Sequence, residues 1–157
     1  MENSLNELVK IETDSWLGYC EDDPVRPHLP LHWRIQDGRE VYGLFETQYA
    51  VEAPVDFEGP KAIICVAYTN GVAITEEDLN RTDEPDTAMF YTVWSYDKGA
   101  GRELVNTVAK HIKDTREDIT RYVTLSPLTD MAERFHLRNG ATLASKGDSC
   151  QNFEYKL

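Results

Sequence analysis

Apolar positions change their period several times along the 157-residue chain, and each change marks an element. Leu5, Leu8, Val9 and Trp16 fall near one helical face, and Ser4 and Glu7 have capping-box spacing, so the pattern predicts a first helix from Ser4 to about Tyr19. Pro24, Pro27 and Pro30 then enforce an extended connection. After the Asp37-Gly38 turn, Val41 to Phe45 reads as a strand, and Pro54 to Pro60 interrupts the pattern. Ala62 to Tyr68 is a nearly continuous apolar run, the mark of a strand covered on both faces, and Thr69-Asn70-Gly71 ends it. Glu76 to Asp86 is a polar surface excursion, and Ala88 to Tyr96 is a second strongly apolar strand.

Beyond Lys98-Gly99-Ala100-Gly101 the period lengthens. Leu104, Val105, Val108, Ala109 and Ile112 form one face of a helix reaching about Lys113. A strand is predicted near Thr120 to Leu125 and a helix from Pro127 to Arg138, stopped by Asn139-Gly140. Ala141 to Ser145 and Asn152 to Leu157 are short candidate strands. This order predicts one α/β (or α+β) domain over 1–157, with a mixed, mostly antiparallel central sheet and flanking helices.

Charge narrows the choice of partners. Sixteen Lys and Arg against 28 Asp and Glu give a formal charge of −12. That argues against nucleic-acid wrapping and against a polybasic membrane surface. No apolar run approaches the ~20 residues of a membrane span, and the N-terminus does not read as a signal peptide. Cys20, Cys65 and Cys150 have no metal or redox spacing, which predicts reduced thiols and a cytoplasmic setting. His28 and His32 are four apart, but the flanking prolines prevent a regular helix, so no metal site is assigned.

Candidate chemistry begins at Tyr96-Asp97-Lys98-Gly99-Ala100-Gly101-Arg102. A Gly-x-Gly turn between a buried strand and a helix lets backbone N–H groups meet an anion, although a plain strand–helix turn has the same composition. Ser126 stands at a strand end before Pro127, where a helix N-cap is the ordinary role. His136 is a lone histidine beside an apolar stripe, usually a structural position.

The succession of strand, Gly-x-Gly turn, helix, strand and the helix Ala132-Glu133-Arg134-Phe135-His136 resembles the GNAT acyltransferase superfamily. A narrower resemblance, over roughly 60–157, is to the GNAT-like catalytic domain of malonyl-CoA decarboxylase. It rests on Ala67 to Ala73, Asp86 to Tyr91, Lys98 to Gly101, Thr124-Leu125-Ser126-Pro127, Phe135-His136-Leu137-Arg138-Asn139-Gly140-Ala141, Ser149-Cys150 and Asn152 to Tyr155, in that order. Tyr96 replaces the Gln or Arg that opens the GNAT turn, and His136 replaces the GNAT helix tyrosine. The family's long segment between the Ser-Pro and Phe-His phrases is absent, as is its separate helical domain. Residues 1–40 lie outside the resemblance.

The resemblance implies an acyl-CoA or related pantetheine thioester as ligand, held at Lys98, Gly99, Ala100, Gly101 and Arg102. It implies catalytic roles for Ser126, His136, Tyr155 and Glu103. The implied reaction is conversion of malonyl-CoA to acetyl-CoA and carbon dioxide, with no cofactor beyond the CoA thioester. N- or O-acyl transfer and a non-catalytic acyl-CoA-binding module remain alternatives. Two structural expectations follow. The strand near 120–125 should diverge from that at 88–96 to open a cleft. Ser126 and His136 can share one small pocket only if the helix between them starts late, near Thr129 or Asp130, or if a substrate spans them.

Overall fold

The computed structural model describes residues 6–46 and 59–157. Strand β3 (Ala62–Thr69) is buried along its whole length, as its continuous apolar run requires. Its side chains alternate. Ile64, Val66 and Tyr68 enter one core, while Ile63, Cys65 and Ala67 enter another on the opposite face. Strands β2 (Glu40–Glu46) and β4 (Thr87–Ser95) flank it, both antiparallel. The described residues extend this into an eight-stranded mixed sheet. Its order is β1-β2-β3-β4-β5-β8-β6, with β7 also paired to β8. Here β1 is Asn6–Lys10, β5 Arg121–Thr124, β6 Ser126–Pro127, β7 Thr142–Lys146 and β8 Cys150–Tyr155. The β4–β5 pair is parallel and every other pair is antiparallel.

Helix α2 (Ala100–Thr115) is the crossover between the parallel strands. It lays Leu104, Val105, Val108 and Ile112 on the first core, the stripe legible in the sequence. Helix α3 (Asp130–Arg138) adds Phe135 to the same side.

The amino-terminal helix expected from Ser4 to Tyr19 does not form. Among its described residues, Asn6–Lys10 is a strand, β1, paired antiparallel with Tyr42–Glu46 of β2. Only Asp14–Leu17 is α-helical, as α1, and a 3-10 turn follows it from Gly18. The reason lies in the two faces of the sheet. Leu8 packs on one core and Val9 on the other, a period of two that the edge of β2 selects over the helical stripe. Ser4 lies outside the described residues, as does most of the Pro54 to Pro60 interruption.

The second face is covered by the prolines' connection and two 3-10 turns, Gly18–Asp22 and His32–Ile35. A buried ion pair fastens this layer. Arg34 Nη1 donates to Asp23 Oδ2 at 2.8 Å, and both side chains have zero exposure. The other Asp23 oxygen accepts the backbone N–H of Val25 at 2.9 Å and of Arg26 at 2.8 Å. Arg34 Nη2 donates to the Arg26 carbonyl at 2.8 Å, and Nη1 also meets Cys65 Sγ of β3 at 3.4 Å. All three cysteines are free and buried.

Removing one member of such a pair strands the other charge in the interior, at a cost of about 3–5 kcal/mol. Asp23→Ala should therefore lower Tm by roughly 10 °C. Asp14→Ala, which removes an exposed contact to His32 at 2.9 Å, should leave Tm unchanged in the same scan. Equal Tm shifts in the two variants would contradict the role given to the buried pair.

Candidate active site in a strand splay

Strands β4 and β5 stay in register only from Thr87↔Arg121 to Phe90↔Thr124. One further bond, Leu125 N to the Phe90 carbonyl at 2.9 Å, closes the ladder. Beyond it β4 runs on to Ser95, while the other chain turns into β6 and pairs Ser126 and Pro127 with Gln151 and Cys150 of β8. The expected divergence is present. A bulge marks its start, since Cys65 opposes Thr92 and Val66 opposes Phe90, leaving Tyr91 as the extra residue on β4. The Tyr91 carbonyl accepts from Nη1 of Arg26, a side chain only 2% exposed.

The splay encloses a cavity of about 480 Å³. Its walls are mostly apolar, with Phe90, Val93, Trp94, Leu125, Met131 and Phe135 prominent. Pro24 and Val25 line it as well, so the layer outside the family resemblance helps to shape it. Ser126 and His136 both line this one cavity. The late helix start makes that possible. Thr129 is the N-cap of α3 and accepts from Ala132 N at 3.2 Å, so Ser126 is not the cap and the helix expected from Pro127 begins at Asp130. Gln151 Nε2 pins the intervening loop through the carbonyls of Pro127 at 2.9 Å and Thr129 at 3.3 Å.

Ser126 Oγ lies 2.8 Å from Thr124 Oγ1, which also accepts Phe153 N at 3.0 Å. His136 is clamped between rings, stacked on Phe153 and edge-on to Phe135. Burial pushes its pKa down to about 4, so the ring is neutral near pH 7. Its Nδ1 lies 2.7 Å from Tyr155 Oη, which accepts from Asn139 Nδ2 at 3.3 Å. Burial raises the Tyr155 hydroxyl to about 12, with the Asn139 donor opposing. Tyr155 does not line the cavity and acts on it through His136.

The other expected residues divide. Gly101 lines the cavity in the first turn of α2, where no side chain caps the free N–H groups. Gly99 has φ +82°, which favours glycine, whereas a Cβ on Gly101 would meet its nearest neighbours at an ordinary 3.6 Å. Ala100 is buried, and Lys98 and Arg102 are exposed beside the turn. Glu103 is outside the cavity lining and accepts from Asn6 Nδ2 of β1 at 3.1 Å. His28 and His32 pair separately, with Glu76 and Asp14.

Gln151 and Arg26 are not singled out by the sequence, and Thr124 enters only as part of the Thr124 to Pro127 phrase. Each acts through a backbone group or another side chain, and no motif advertises such contacts. Asn139 was read as a helix stop, although it lies within the Phe135 to Ala141 phrase.

No protein-family model matches the sequence, and no curated protein matches it significantly. Solved structures do match. Malonyl-CoA decarboxylase from Agrobacterium vitis superposes with a TM-score of 0.65 at 19% identity, over 87% of this chain and 37% of its own. The Rhodopseudomonas palustris decarboxylase gives 0.59 at 22%, over 83% and 33%. The N-acetyltransferase PseH of Campylobacter jejuni gives 0.61 at 14%, over 98% and 99%. The chain has a GNAT-like fold. It spans only about a third of the length of the decarboxylases and nearly all of the acetyltransferase. Within this GNAT-like fold no described helix is long and apolar enough to cross a membrane.

A neutral buried histidine leaves a signature in stability. The unfolded ring takes a proton near pH 6.5 and the folded ring only near 4, so the unfolded state binds more protons between those values. The contribution of His136 is full above about pH 6.5 and is lost as pH falls. Relative to His136→Gln, the wild type should lose about 3 kcal/mol between pH 6.5 and 4, from about 1.4 kcal/mol per pKa unit. Urea melts across this range check it, and parallel stability curves would contradict it.

Proposed function

We propose that the splay binds an acyl-CoA or related pantetheine thioester and that the protein decarboxylates a malonyl thioester. The observation that carries this reading is the convergence of Ser126 and His136 on one apolar cavity bordered by the glycine turn. The uncapped first turn of α2 offers N–H groups and the positive end of a helix dipole to the pyrophosphate. The thioester would then run into the splay between β4 and β5.

In the reaction, the bond between the thioester α-carbon and the carboxylate breaks, and carbon dioxide leaves. The electron pair passes into the thioester carbonyl as an enolate, and the α-carbon then takes a proton. Apolar walls weaken solvation of the starting carboxylate, while the developing enolate oxygen needs a donor. Ser126 Oγ and the neutral His136 ring are the lining groups we assign to these tasks, and Thr92, Ser95 and Thr129 also line the cavity. The thioester itself is the electron sink.

Acyl transfer is the second reading. It is supported by the match over nearly the whole length of an N-acetyltransferase. In that case an amine or alcohol attacks the thioester carbonyl in the same splay, and His136 lies near the leaving thiolate.

Incubation with malonyl-CoA alone, and with acetyl-CoA plus an amine library, separates the two. Acetyl-CoA formed from malonyl-CoA without acceptor supports decarboxylation. Acceptor-dependent release of CoA overturns it in favour of transfer. Ser126→Ala and His136→Gln should each lower kcat by at least about a hundredfold while CoA still binds. Wild-type turnover in both would remove these residues from the chemistry.

Binding has its own test. Millimolar CoA should raise the Tm of the wild type by mass action. Gly101→Asp sets a carboxylate over the free N–H groups and should abolish the rise. The same rise in both proteins would contradict the turn as the anion site.

A further inference from the structure

Three polar groups form a line behind His136. Asn106 Nδ2, on the exposed side of α2, donates to Asn139 Oδ1 at 3.1 Å. Asn139 Nδ2 meets Tyr155 Oη at 3.3 Å, and Tyr155 Oη meets His136 Nδ1 at 2.7 Å. Donor capacity gives the line a direction. An amide nitrogen only donates, so Asn139 Nδ2 is the donor to Tyr155 Oη, and among the described contacts His136 Nδ1 is the partner able to accept the Tyr155 proton. The Tyr155 oxygen is already an acceptor there, and its proton is directed at Nδ1. A neutral imidazole carries one N–H. With Nδ1 accepting, the hydrogen resides on Nε2, the ring nitrogen left for the cavity that His136 lines.

We propose that Asn139, oriented by Asn106, is a positioning residue that holds His136 as the Nε2–H tautomer through Tyr155. The inference rests on the reading of the splay as a thioester site and adds the direction of its proton. His136 meets the substrate as a donor, first to the enolate oxygen and then as the source of the proton for the α-carbon. As the Nε2 proton leaves for carbon, the Tyr155 proton moves to Nδ1. The imidazole stays neutral throughout. The resulting phenolate keeps the Asn139 N–H, and after the product departs a solvent proton adds to Nε2 while the Nδ1 proton returns to Tyr155, which restores the starting tautomer.

The test reverses the line from its far end. In Asn106→Asp the new carboxylate only accepts, so the Asn139 amide turns its Nδ2 outward and presents Oδ1 to Tyr155. Tyr155 then donates to Asn139 and accepts from His136 Nδ1–H. Nitrogen-15 spectra of the imidazole should show mainly Nε2–H in the wild type and a mixture of the two tautomers in Asn106→Ala, where the donor that orients Asn139 is gone. They should show mainly Nδ1–H in Asn106→Asp and in Asn139→Asp. Turnover of malonyl-CoA should fall at least tenfold in both Asp variants, with Tm of Asn106→Asp within a few degrees of wild type. A wild-type Nδ1–H signal overturns the proposal. So do Asp variants that keep Nε2–H, or a tautomer change without loss of turnover. The spectra need no substrate, so wild-type protein that fails to decarboxylate malonyl-CoA overturns the function alone and leaves the tautomer assignment standing.

Discussion

The parting of β4 from β5 after Phe90 is the constraint around which the rest of the molecule is organised. A parallel pair that stops in mid-sheet leaves backbone polar groups and apolar side chains without neighbours, and both must be met by other parts of the chain. Tyr91 offers the extra carbonyl of a bulge, and Arg26 answers it from a connecting loop. The diverging segment is not left unpaired, because β8, already paired with β5, continues on to Ser126 and Pro127. The gap is walled by Trp94 of β4 and by Met131 and Phe135 of α3. The cavity is therefore a built interruption of the sheet, with substitutes for each lost contact.

The buried Arg34–Asp23 pair belongs to the same arrangement. It folds the connection around Asp23, Val25 and Arg26 into one conformation, and this sets where the Arg26 guanidinium can reach. Pro24 and Val25 arrive at the cavity wall by the same means. A layer outside the sequence motifs shared with the decarboxylase domain is thus tied to the region that carries those motifs.

Much of this was legible in the sequence where burial acts on a contiguous pattern. Continuous apolar runs marked β3 and β4, and the helical stripe from Leu104 to Ile112 marked α2. The Gly-x-Gly turn and the Phe-His phrase located Gly101 and His136. The misreading of Asn6–Lys10 has a physical origin. Five residues carry too little period to separate a helix from a strand, and the deciding partner lies some 35 residues on, at Tyr42–Glu46. The start of α3 was read too early because Ser126-Pro127 imitates a helix cap, whereas pairing with β8 draws both residues into the sheet. The contacts of Arg26, Gln151 and Asn139 could not be read locally at all. Each joins groups far apart in sequence through a single hydrogen-bonding atom.

The order in which the strands occur along the chain has a consequence for synthesis. Tyr155, which steadies His136, and Gln151, which pins the loop between Ser126 and α3, both belong to β8. A ribosome delivers residues in sequence, so β4, β5 and α3 emerge before the strand that sets their final spacing. Until β8 is made, the walls of the splay have no fixed separation and their apolar side chains face water. The cleft thus takes its shape only once β8 has emerged, and a chain halted before residue 150 would present a sticky half-site in place of a cavity.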